Sequence, residues 1–248
     1  MEFVERFIDA DDERLRILDA GSGAPLIVLA DEMAAEPGLA ESILAEASRV
    51  IVVGVPAGSP RHAGATLATA IEALGVAQPA VLASSLAAPV ALWLAIDHPE
   101  RVRSLVLESP LAFSAHVPSL AGSAADEWRR AFNAHPERKS GSSLADPAVF
   151  ATYARQRLGP TQDATFFATL TAFDPPVLTL FGTRDPLAGV ELGRFYKTLF
   201  PNAWFVMVYD AAHDIRGDRP EAFADAVGDF LRRGAQFAVG ERSSRLHR

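Results

Sequence analysis

At 248 residues the chain can form one large α/β domain or two small ones, and 49% apolar residues exclude an unfolded chain. A formal charge of −8, from 23 basic and 31 acidic residues, argues against a nucleic-acid-binding surface. The chain has no cysteine, which excludes disulfides, thiolate metal sites and cysteine nucleophiles.

The first residues, MEFVERFIDADDERLRI, carry acidic groups from position 2 and no long apolar core, so no secretory signal is expected and the reading is cytoplasmic. Short β-rich runs follow at 3–8, 15–19, 26–30, 50–55, 80–83, 104–107, 177–181 and 204–209. The first two flank charged residues and read as an antiparallel edge. The central ones are continuous apolar runs, as expected of strands covered on both faces. Helical periodicity fills the gaps at 39–47, 63–74, 86–96, 190–199 and 221–231. The alternation predicts βαβ units and a mainly parallel eight-stranded sheet with helices on both faces. From Ala73 to Ile96 there are 24 residues without a charge. Gly75, Gln78-Pro79 and Ser84-Ser85 interrupt them, so a buried strand and helix are expected there and not a membrane span.

Residues 111 to about 174 break the rhythm. They show helical pieces at 124–134 and 148–158 and loop clusters such as Lys139-Ser140-Gly141-Ser142-Ser143. This segment is expected to be a helical lid inserted in a single domain spanning 1–248. The tail over 234–248 is expected to fray. The apolar lid residues Phe132, Val149, Phe150, Tyr153, Phe166, Phe167 and Leu170 either line a ligand pocket or simply pack.

The stretch AVLASSLAAPVALWLAI (80–96) reads as a strand, a sharp turn with two serines, and a helix. Such a corner can hold a serine exposed, provided its neighbours are small. Ala83 and Ala87 stand two residues either side of Ser85. A serine needs a base to take its proton, and a carboxylate to orient that base. Asp185 and His213 each follow a later strand. In a parallel sheet, groups after the carboxyl ends of strands meet at one edge. Each residue alone has a plainer reading: Ser84-Ser85 as a helix cap, Asp185 as a turn, His213 as a loop residue. The remaining histidines (His62, His98, His116, His135, His247) show no metal-ligand spacing, and no phosphate-loop pattern is present, so no metal or cofactor is expected.

Taken together, VLASSLAAPVALWLAIDHPERVRSLVLESP (81–110), PVLTLFGTRDPL (176–187) and AAHDIRGDRPEAFADAVGDFL (211–231) resemble the α/β-hydrolase fold family. The resemblance implies a small-molecule substrate, with Ser85 as nucleophile, His213 as general base and Asp185 as orienting acid. It also implies that the backbone N–H groups of Glu32 and Leu86 form an oxyanion hole. Two features depart from the family pattern. Alanine replaces glycine on both sides of Ser85, and Ala30-Asp31-Glu32 stands where members usually carry His-Gly. Carboxylates beside a developing oxyanion would oppose it, and loss of one donor costs about 10²–10³ in rate. Two readings therefore stand: a serine hydrolase acting on a small, fairly apolar ester, thioester or activated C–C bond, or a non-catalytic ligand-binding module on the same fold.

Overall fold

The computed structural model describes residues 1–30, 36–113, 125–135, 147–158 and 164–237. Its strands are β1 (Val4–Ala10), β2 (Glu13–Ala20), β3 (Ala24–Ala30), β4 (Ser48–Gly54), β5 (Ala80–Ser84), β6 (Ser104–Glu108), β7 (Val177–Gly182) and β8 (Ala203–Val208). Its helices are α1 (Leu39–Leu44), α2 (Pro60–Ala73), α3 (Ala88–Asp97), α4 (Ala125–Phe132), α5 (Pro147–Arg157), α6 (Ala164–Thr171), α7 (Val190–Leu199), α8 (Ile215–Asp218) and α9 (Pro220–Arg233).

The strands form one eight-stranded sheet in the order β1-β2-β4-β3-β5-β6-β7-β8. β1 and β2 are the expected antiparallel hairpin, with Ala10 opposite Glu13. Its turn holds Asp11 at φ 51°, a region that aspartate tolerates better than most residues. β2 also runs antiparallel to β4, and the strands from β3 to β8 pair in parallel.

Side chains alternate across the sheet and fill two cores. Ile51 and Val53 of β4 face a layer that includes α2, α3 and α7, while Val50 and Val52 face α1 and α9. Both faces are covered, which is why the central strands read as unbroken apolar runs. Each fully buried Ile27, Leu29 or Leu67 contributes about 1.5–3 kcal/mol. Ser59 caps α2 by accepting from the His62 N–H at 3.3 Å, and Pro60 takes the first turn, where no N–H is needed.

Helix boundaries shift from the sequence pattern, most clearly at α1, at α2, which opens at Pro60 and not at 63, and after β5. α1 stops at Leu44, because the chain must turn into β4 by Ser48. The helix after β5 begins as a 3₁₀ turn over Ser85–Ala87 and becomes α-helical only at Ala88. The sequence reading missed α6, whose ATFFATLT is poor in strong helix formers, and the four-residue α8. Beyond α9 the described chain reaches Phe237, which packs on Trp204 and Phe230. The rest of the expected tail lies outside the described residues.

β3 pairs with β4 on one side and β5 on the other. The connections therefore leave β3 and β5 in opposite directions, and the crevice at their carboxyl ends is where ligands bind in open α/β sheets. Among the described residues no helix is long and apolar enough to cross a membrane.

Candidate active site

Ser85 follows β5 with φ at 49°, in the left-handed region. For a residue with a Cβ this costs about 1–2 kcal/mol, so the surroundings must impose it. The flanking Ala83 and Ala87 are fully enclosed, leaving no room for larger side chains. The Leu111 N–H donates to the Ser85 carbonyl at 3.1 Å and ties the turn to the segment after β6. Ser84 does not cap the helix. Its hydroxyl donates to Glu108 Oε2 at 2.5 Å, away from Ser85.

His213 Nε2 lies 2.8 Å from Ser85 Oγ, and His213 Nδ1 lies 2.9 Å from Asp185 Oδ2. An ionised carboxylate only accepts, so Nδ1 carries the proton toward Asp185 and leaves Nε2 to accept from the serine hydroxyl. Asp185 Oδ1 accepts from the Leu187 and Ala188 N–H groups at 2.7 and 3.0 Å, which fixes the carboxylate. The side chains of Asp185 and His213 are almost wholly withdrawn from solvent. Three residues 128 positions apart at the extremes are thus joined at the carboxyl edge of the sheet. A hydroxyl, an imidazole and a carboxylate in this sequence can activate the hydroxyl as a nucleophile.

Gly182 makes the approach possible. A Cβ there would lie 2.2 Å from the Ala212 carbonyl oxygen and 2.3 Å from that of Ala211. The strand end and the histidine loop also share Thr183 N–H to Val208 O (3.0 Å) and Arg184 N–H to Ala211 O (2.8 Å). From the other side α4 clamps the same loop. The Asp214 N–H donates to Phe132 O at 2.8 Å, and the Phe132 ring meets the His213 imidazole edge-on at 4.9 Å.

The sequence reading missed the carboxylates that hold these loops. Buried Asp218 accepts from the N–H groups of Ala212, Ala134 and His135 at 2.8–3.1 Å. Glu108, at the end of β6, accepts from Ser84 Oγ, the Arg216 N–H and Arg216 Nε. Arg216 also reaches Glu41 at 2.9 Å, and Glu41 accepts from the Gly38 N–H. Removing one member would strand a buried charge, at a cost of about 3–5 kcal/mol. The one available signal was a carboxylate closing the apolar run SLVLE; its partners are set only by the fold. At the surface His135 hydrogen-bonds Asp210 at 2.7 Å, holding that carboxyl below the usual carboxylate range, with Arg184 adding to the effect.

Leu86 follows Ser85 directly and is buried. Glu32, with Asp31 and Met33, lies outside the described residues, as do parts of the 111–174 segment. Of the apolar residues named there, Phe132, Phe150, Phe166 and Leu170 are packed into the core, and Tyr153 borders a cavity. Among the described residues, no group of three or more His, Asp or Glu gathers to hold a metal ion.

A family model described as the alpha/beta hydrolase fold matches residues 61–169. The 2-hydroxymuconate semialdehyde hydrolase of Pseudomonas putida is 26% identical over 187 residues; the match covers 65% of this chain and 65% of that protein's length. A serine hydrolase involved in carbazole degradation (CarC enzyme) superposes with a TM-score of 0.74 at 22% identity, over 93% of this chain and 99% of the other. The naproxen esterase of Bacillus subtilis does so at 0.73 and 13% identity, over 93% and 92%.

Proposed function

We propose that this chain, which has the α/β-hydrolase fold, is a serine hydrolase acting on a small, fairly apolar ester, thioester or activated carbon–carbon bond. The Ser85–His213–Asp185 hydrogen-bond chain carries the reading. His213 Nε2 takes the Ser85 proton as Oγ attacks the substrate carbonyl, and Asp185 stabilises the imidazolium that forms. His213 then returns the proton to the leaving group as the acyl-enzyme forms, and water reverses the sequence. The Leu86 N–H opens the helix after β5, where backbone donors and the helix dipole favour negative charge. It serves as one oxyanion donor, with the Glu32 N–H as the other. The segment between β6 and β7 acts as a lid, and its α4 keeps water from the His213 face. The hydrolase and esterase names of the similar proteins support the same class.

Labelling with a fluorophosphonate, followed by peptide mapping, tests this without a known substrate. The adduct is expected on Ser85. It should vanish in Ser85→Ala and persist in Ser84→Ala. Failure of the parent protein to label would overturn the hydrolase reading in favour of a ligand-binding module, the alternative that Asp31 and Glu32 suggest.

A further inference from the structure

A cavity of about 700 Å³ opens beside the serine turn on the side away from His213. Ligand pockets for small molecules span about 300–1,000 Å³. The cavity's floor is the carboxyl ends of β4 and β3, with Val52, Gly54 and Ala30, and Leu18 of the antiparallel neighbour β2; its walls include Leu86 and Tyr153. Ser85 itself does not border it, whereas the next two residues, Leu86 and Ala87, do. The lining is mainly apolar. The guanidinium of Arg16 at the rim is bound to Glu5 and Glu36, and that of Arg157 donates to the carbonyls of Pro56 and Gly58.

Gly54 is the exceptional floor residue. It pairs with Ala30 in the parallel register and shares a sheet face with Val52. Its φ lies outside the left-handed region, so a residue with a Cβ can stand there. Among the described residues, a Cβ at Gly54 would meet nothing within 4 Å. Among the described residues neither turn geometry nor close packing explains this glycine, and it borders the cavity. What its missing side chain leaves is depth.

We propose that this cavity holds the acyl chain of the substrate, an apolar chain of medium length, and that Gly54 sets how long that chain can be. The inference rests on the serine-hydrolase reading. A side chain at Gly54 should then penalise long acyl chains and spare short ones, since one methylene of misfit in an apolar pocket is worth roughly 10–200-fold.

The test is kcat/KM on p-nitrophenyl acetate, butyrate and octanoate, with labelling rates for ethyl and octyl phosphonofluoridates. The parent should prefer the long chain. Gly54→Leu should lower the octanoate value at least about tenfold and leave acetate within about threefold. Gly54→Ala, which adds one methyl to open space, should fall between and remain folded if the larger variant does not. Equal loss on all three esters, or no change in folded variants, overturns the assignment while leaving the hydrolase reading intact. A parent that cleaves no ester and reacts with neither phosphonofluoridate overturns both.

Discussion

On the β6–β8 side of Ser85, His213, Asp185, Glu108 and Asp218 each make several hydrogen bonds, and their side chains are buried. On the other side β3 and β4 end in Ala30 and Gly54 beside β2 and leave a cavity of about 700 Å³. The two flanks share one sheet and one serine turn. One holds polar groups at fixed distances, with both carboxylate oxygens of Asp185 and of Glu108 accepting hydrogen bonds. The other offers small residues and space. Fixed geometry suits proton transfer, and space suits a variable organic group, so substitutions on the two flanks should fail in different ways.

The largest effect is expected at Ser85 and His213. Each alanine variant should lose about 10⁶ in kcat on an activated ester, and the double variant should be little worse than either. Multiplicative losses would show that the hydrogen-bonded flank does not work as a unit. Asp185→Asn should cost about 10⁴, through the wrong imidazole tautomer. Steady-state kinetics on the same ester measures it, and a loss under tenfold would detach Asp185 from the chemistry.

A pair of identical substitutions compares the flanks directly. Gly182→Ala would place a methyl against the Ala211 and Ala212 carbonyls and push the histidine loop away. A displacement near 1 Å costs about 10²-fold in rate. Gly54→Ala should leave cleavage of the acetate ester and thermal stability nearly unchanged. Equal behaviour of the two variants would dissolve the distinction between a rigid flank and an open one.

A smaller effect concerns the segment that joins β3 to α1. Asp31→Asn or Glu32→Gln is expected to raise turnover of a short nitrophenyl ester or leave it unchanged, because under the proposed function the Glu32 N–H donates to the oxyanion and a carboxylate facing that charge would oppose it. A loss beyond about tenfold, or 1.4 kcal/mol, in a folded variant would instead make that carboxylate part of the site.

The smallest effect is at the surface beside the histidine loop. The His135 hydrogen bond, with Arg184, holds Asp210 below its usual carboxylate range. A depressed carboxyl stabilises the fold above the unfolded value of about 4 and loses that contribution as pH falls through the lower folded value. The parent should therefore exceed His135→Gln in melting temperature near neutrality, and the gap should narrow as the solution is acidified below about pH 4. A gap independent of pH would remove the electrostatic explanation.

The strands, their parallel pairing and the meeting of Ser85, Asp185 and His213 were legible in the sequence, because each rests on local signals. Apolar runs of strand length mark the sheet, and a parallel sheet brings the residues after its strands to one edge. The small residues around Ser85 marked the turn, although alanine stood where glycine is usual. The supporting carboxylates were not legible. Glu41, Glu108 and the Arg216–Asp218 segment lie far apart in the chain, and their worth comes from burial and partners that no local pattern encodes. Among the aromatic residues before β7, periodicity could not separate those buried in the core, such as Phe132 and Phe150, from Tyr153, which packs against that core and also borders the cavity. Nor could it assign a role to Gly54. A glycine in a strand signals only missing volume, and whether that volume is filled or left open is decided by what the rest of the fold places against it.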